Sequence, residues 1–208
     1  PAYLDALRRA DGGTEIDIDM LRHGIGSAEN PIFPGVLAFS ALSATASLAA
    51  ARAIAGGAGC AFNPCGGFHH ARPDRAGGFC YVNDVAIAIE ELRAAGLRTA
   101  YVDIDAHHGD AVQDAFYEDP GVFTVSIHET GKTLFPWGGF ERELGEGAGR
   151  GYNLNVPLEP ETDDEIFGRL FDGIVMDALD RFDPEVVVAQ VGTDMLATDP
   201  LTHLRLTN

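Results

Sequence analysis

Two segments of this 208-residue chain concentrate side chains that can do chemistry. The first is the octet Asp103-Ile104-Asp105-Ala106-His107-His108-Gly109-Asp110. Alternate residues of an extended strand share a face, so Asp103 and Asp105 point the same way and His107 continues the row. Neighbouring carboxylates repel unless a cation or an imidazolium lies between them. A third carboxylate, Asp194, follows a separate apolar run, Glu185 to Val191. Asp105, His107 and Asp194 would give one imidazole and two carboxylates, a three-ligand set that leaves a position open as catalytic zinc sites do. The same donors would accept Fe²⁺, Co²⁺ or Mn²⁺. The plainer alternative for part of the octet is that Asp110 caps the helix that follows it.

The second segment is Gly66-Gly67-Phe68-His69-His70. A histidine doublet in a loop is ordinary by itself. Here Gly66, Gly67, Gly77 and Gly78 let backbone approach a ligand closely, and Phe68 and Phe79 supply apolar walls. With Asp103 and Asp110 as carboxylate partners, the two histidines suggest His–Asp dyads. The carboxylate in such a dyad fixes the tautomer and raises imidazole basicity, as a general base or acid requires. Leu134-Phe135-Pro136-Trp137-Gly138-Gly139 either lines a narrow apolar channel or is a loop pinned to the body by its aromatics. Cys60 and Cys65 have the wrong spacing for a zinc finger and no second pair, so they read as core or loop cysteines.

These residues need a scaffold to bring them together, and the pattern supplies one. Leu4 to Ala10 reads as a short helix closed by Gly12-Gly13, and Pro34 to Ala55 as a long one stopped by Gly56-Gly57. Cys60-Ala61-Phe62 reads as a strand, and Asn63 to Tyr81 as glycine-rich loop. Asn83 can cap a helix running to Gly96. Arg98 to Ile104 alternates and is β-branched, a strand; a short helix over Asp110 to Tyr117 and a strand Val122 to Ile127 follow. His128 to Gly151 is irregular, Tyr152 to Val156 a strand, and Thr162-x-x-Glu165 a capping box opening a helix to about Phe182. Glu185 to Val191 is apolar throughout, like a strand buried on both faces. Alternating strands and helices imply an α/β fold, three-layered with a mainly parallel sheet, in one domain spanning 1–208. The two long loops each follow a strand, at the sheet end where open α/β proteins bind ligands.

Composition narrows the partners. Thirty-two acidic against 14 basic residues give a net charge of −18, which argues against nucleic acid because phosphate neutralisation needs clustered Lys and Arg. Val36 to Ile54 is interrupted by Ser, Thr and Arg52, so no apolar run reaches the roughly 18 charge-free residues that would suggest a membrane helix. No signal peptide is visible. Three cysteines without a CxxC suit a reducing cytoplasm rather than a disulfide framework. Asp11 to Asp19 reads as solvated acidic chain. The absent initiator Met, and an end at Leu206-Thr207-Asn208 where Thr or Asn resembles a cap with no helix after it, suggest a piece incomplete at both ends.

Four ordered motifs, GGFHHARPDRAGGFCYVND, YVDIDAHHGDAVQDAF, VSIHETGKTLFPWGG and QVGTDMLATDPL, with HGIGSAENPIFPG near the N-terminus, resemble the zinc-dependent histone deacetylase family, nearest to its prokaryotic acetoin-utilisation type. The resemblance covers nearly the whole chain and implies the arginase/deacetylase α/β fold. It implies zinc ligands at Asp105, His107 and Asp194, and paired active-site histidines at His69 and His70, backed by Asp103 and Asp110. Gly78 would offer its carbonyl to the substrate amide, Phe79 and Phe135 would clasp the lysine methylenes, and Glu29 would hold the substrate backbone at the rim. Asp103, Asp105, His107 and Ser126 would form an inner K⁺ or Na⁺ site, largely through backbone oxygens. The implied reaction is hydrolysis of an acetylated amine, with acetyl-lysine on protein as the expected substrate and a small acetylpolyamine as the alternative. The family also uses a tyrosine in a glycine-rich turn, and no GGGGY-like turn occurs in these residues. That departure leaves a non-catalytic acetyl-lysine binder as a rival. An arginase-like manganese ureohydrolase is disfavoured by the His doublet and the phenylalanine pair.

Overall fold

Helix α1 (Ala2–Ala10) buries Tyr3, Ala6, Leu7 and Ala10, the i, i+3, i+4, i+7 stripe of an amphipathic helix. The structure is a computed structural model that describes residues 2–13 and 15–207. It divides into two compact units, Pro1–Glu91 and Leu92–Asn208, each considered in turn.

In the first unit, α1 packs with Met20, Ile25, Val36, Ala76 and Tyr81 in one apolar cluster. Asp11 to Asp19 is not simply solvated chain, as the sequence suggested. Asp17 caps a short helix, α2 (Ile18–Arg22), by accepting from the Met20 amide, and Arg9 bridges Asp17 and Asp19. Asp11 accepts from the Leu37 amide and so supplies the side-chain cap that Gly35 lacks at the start of α3 (Val36–Ala55). Thr14 lies outside the described residues. Helix α3 buries Val36, Ser40, Ser43, Ser47 and Ala51, a face of mostly small residues, and leaves Leu42 63% exposed. By length and composition alone it is apolar enough to cross a membrane, against the sequence expectation. Cys60-Ala61-Phe62 is no strand. All three residues are exposed and irregular, because three apolar residues without a neighbouring ladder have nothing to pair with. No disulfide joins Cys60, Cys65 or Cys80.

Helix α4 (Asp84–Ala94) is capped by Asn83, whose side-chain oxygen accepts from the Ala86 amide, as expected. In the second unit, four strands form a parallel sheet: β1 (Thr99–Asp103), β2 (Val122–Glu129), β3 (Asn153–Leu158) and β4 (Val186–Gln190), in the order β3-β2-β1-β4. Helix α5 (Asp110–Phe116) makes the crossover from β1 to β2. β1 and β2 are buried along their whole length, and the core gathers Val102, Phe123, Val125, Ile127, Leu158 and Val175. The α/β class is therefore as the alternation implied.

Two expectations need correction here. β4 pairs only with β1 among the described residues, and alternate side chains are exposed, with Val187 49% accessible. An apolar run does not distinguish a central strand from an edge one. The capping box also gives way. Asp163, not Thr162, caps α6 (Asp164–Leu170) by accepting from the Ile166 amide, while Thr162 donates to the Glu159 carbonyl. The helix does reach Phe182, through a π-helical segment (Phe171–Met176) and α7 (Asp177–Phe182). At the end of the chain, Thr207 donates its amide to Asp164, and Asn208 lies outside the described residues.

Candidate metal centre

Register aligns the C-terminal ends of the strands. Asp103 sits opposite Ser126 on β2 and Gln190 on β4, so the chain leaving each strand emerges on one rim. Beyond β1 and β4 that rim carries Asp105, His107 and Asp194, each with one donor atom within 4.8 Å of the others. The His107 Nδ1 lies 2.7 Å from Asp194 Oδ2 and 3.1 Å from Asp105 Oδ1. Less than a fifth of each side chain is exposed.

Backbone holds the carboxylates in place. Asp105 Oδ1 accepts from the His107 amide, and Asp194 Oδ1 accepts from the Ala106 amide. Gly192 gives Asp105 its room, since a Cβ there would stand 2.2 Å from Asp105 Oδ2. Asp103 is fully buried and accepts from the Asp105 amide and the Tyr101 hydroxyl. A Cβ at Gly109 would reach within 2.2 Å of its Oδ2.

Does this set fit a metal ion? Burial alone would lower the His107 pKa, but hydrogen bonds to Asp105 and Asp194, and their charges, outweigh it and push it up to about 10. Two carboxylates converging on one nitrogen demand a cation, and in the metal-free protein the imidazolium takes that part. A divalent ion would replace the proton and find two anionic oxygens and a nitrogen, a donor set suited to Zn²⁺ and its neighbours. The residues fit.

The raised His107 pKa makes a pH prediction. Its folded value lies above the ordinary histidine range, so its contribution to stability is fully present below about pH 6.5 and is lost as pH rises through about 10. Urea unfolding of metal-free protein should therefore show stability declining across that interval. His107→Ala should remove that part of the decline.

The other candidates fall as follows. Ser126 donates to His128 Nδ1 and accepts from the Gly109 amide, beside Asp103 in register. Asp110 begins α5 and does not cap it; the cap position is Gly109. Phe135 lies with its ring centroid 6.4 Å from that of His107, while Trp137 is 63% exposed. The aromatic loop is thus not pinned by its tryptophan.

In the first unit, His69 and His70 are both buried, with ring centroids 4.0 Å apart. Two residues that sequence reasoning missed, or saw only as a cap, fix the loop around them. The buried Asp84 carboxylate accepts from the Gly67 and Phe68 amides and the Ser47 hydroxyl. The Asn83 amide donates to the His69 and Ala71 carbonyls. A polar pair directly before an apolar helix was the available signal. Gly78 and Phe79 occupy the centre of a tight turn closed by Gly77 and Cys80, with φ of 50° and 66°. A phenylalanine in the left-handed region is unusual, and this one is 60% exposed: the turn presents the ring instead of packing it. Glu29 is exposed, and its neighbour Asn30 donates to the Cys80 carbonyl, tying the Glu29 loop to the same turn.

Comparison with known proteins finds relatives along the whole of this chain. The chain is 39% identical over 207 residues to the acetoin utilization protein AcuC of Bacillus subtilis (strain 168), covering 99% of this chain and 54% of that protein. It is 39% identical over 208 residues to histone deacetylase 8 of Xenopus tropicalis, covering 99% and 56%. The crystal structure of an HDAC homolog from Aquifex aeolicus superposes with a TM-score of 0.92 at 38% identity, over 98% of this chain and 55% of that one. The chain thus spans little more than half the length of the relatives it matches. The histone deacetylase domain family matches residues 1–208, and with the strand-end triad in place the chain belongs to that family.

Proposed function

We propose that the chain carries the metal centre and the histidine pair of a zinc-dependent amidohydrolase that removes acetyl groups from amines, with acetyl-lysine on protein as the substrate. The convergence of Asp105, His107 and Asp194 carries this reading, because it supplies the donors such a reaction needs at a strand-end rim. Family membership supports it.

Asp105, His107 and Asp194 would hold the ion, which when bound supplies a Lewis acid for the amide carbonyl and acidifies water. His70 would take the proton from the attacking water and return it to the leaving amine, with His69 as its electrostatic partner. Asp103 and Asp110 would orient those imidazoles and raise their basicity. The Gly78 carbonyl would accept from the substrate amide, Phe79 and Phe135 would flank the lysine methylenes, and Glu29 would hold the substrate backbone. The exposed, left-handed Phe79 supports its part in this scheme, since a ring held outside a core is available to a ligand. Asp103, Asp105, His107 and Ser126 would provide a K⁺ or Na⁺ site beneath. A cytoplasmic setting and the absence of nucleic-acid and membrane partners belong to the same reading.

The test is hydrolysis of an acetyl-lysine peptide by a polypeptide that carries this chain, before and after chelation and with Zn²⁺ restored. The reading expects loss on chelation and recovery on restoration. Undiminished turnover in chelator would contradict it, and turnover confined to small acetylated polyamines would move the substrate to that class.

A further inference from the structure

Glu129, the last residue of β2, has a carboxylate buried to 0% exposure with no Arg or Lys paired to it among the described residues. Burying a carboxylate is costly unless its oxygens are met by donors. Here three donors meet it. Oε1 accepts from the Thr133 hydroxyl and from His203 Nδ1, both at 2.8 Å, and Oε2 accepts from the His203 amide at 2.7 Å. His203 itself is more than half exposed, so it is not buried for packing.

The segments that Glu129 joins are those that carry the candidate ligands. Its own amide donates at 2.9 Å to the carbonyl of Ala106, the residue between Asp105 and His107. The Ala106 amide in turn donates to Asp194 Oδ1 at 2.9 Å. On the far side of the loop, Thr202, next to His203, donates its hydroxyl to the Asp194 carbonyl at 2.6 Å. Thr133 closes the turn that Thr130 opens, two residues before Phe135. One buried side chain thus fastens the Asp194 segment and the aromatic loop, while its backbone fastens the Asp105–His107 segment.

A carboxylate suits this position because, carrying no proton of its own, it accepts from all three partners at once.

We propose that Glu129, acting through His203, is a positioning residue of the metal centre, holding Asp194 in register with Asp105 and His107; this rests on the reading of that triad as a metal site. Outer-shell partners of this kind typically govern metal affinity by about 10–100-fold. The experiment is Co²⁺ titration of the full chain, followed by its visible absorption, for wild type, Glu129→Gln, His203→Ala and His203→Asn, with circular dichroism to verify folding. Glu129→Gln and His203→Ala are expected to bind Co²⁺ about 10–100-fold more weakly, with altered spectra. His203→Asn, whose amide nitrogen occupies the place of Nδ1, restores wild-type affinity and spectrum. If Glu129→Gln fails to fold, the exposed His203→Ala decides the matter. Wild-type affinity and spectrum in every folded variant would overturn the positioning role alone. No Co²⁺ uptake by the wild-type chain would overturn the metal-site reading and this role with it.

Discussion

Asp194→Ala is expected to lose tight Zn²⁺ binding, with affinity falling by about two orders of magnitude. The figure follows from dividing the roughly 10–16 kcal/mol of a four-ligand zinc site among its ligands, which gives about 3 kcal/mol for each. The change also removes the acceptor of the Ala106 amide and one of the two carboxylates that raise the His107 pKa. His107 should then titrate nearer to an ordinary histidine. Competition with a chelating dye measures the affinity, and NMR of the imidazole follows the titration. Asp194→Asn separates the two causes. It keeps an oxygen for the Ala106 amide but loses the charge, and should bind Zn²⁺ more weakly than wild type while retaining the fold. Unchanged affinity in both variants would remove Asp194 from the ligand set.

His70→Ala carries the second large effect. A positioned general base contributes about 10²–10⁴-fold to a rate, and acetyl-lysine peptide turnover should fall within that range. Metal affinity should not, because the ligand atoms belong to Asp105, His107 and Asp194. His69→Ala is expected to cost less, as an electrostatic partner that moves no proton. Steady-state assay beside Zn²⁺ titration makes the distinction. A His70 variant with full turnover would remove the proton-transfer role; one with lost metal affinity would mean that the histidine serves the ion instead.

The legible part of the site was the part written in strand ends. Asp103 closes an alternating β-branched run that Asp105 and His107 follow, and Asp194 follows an apolar one, so residue type and local period together placed all four at the ends of parallel strands. Helices with clear punctuation, Gly56-Gly57 after α3 and Asn83 before α4, were also readable. What failed depended on distant partners. Cys60-Ala61-Phe62 had strand composition but no neighbour, and β4 had core composition at the sheet edge. Asp11 and Asp17 read as solvated charge because their amide partners, at Leu37 and Met20, are not visible in composition. Asp84 and Glu129 were missed for a related reason. A single acidic residue becomes informative only when its burial and its donors are known, and most of those come from segments 16 to 74 residues away.

Because the triad is assembled from distant segments, a structural measurement tests it most directly. Crystals of the chain grown with Zn²⁺ would show anomalous difference density at the zinc edge. One principal peak per chain is expected, bonded by Asp105, His107 and Asp194 at about 2.0–2.2 Å, and weakened in Asp194→Ala crystals equilibrated at a Zn²⁺ concentration below that variant's dissociation constant. Zinc bound only at other residues, or a peak that persists undiminished in that variant, would contradict it.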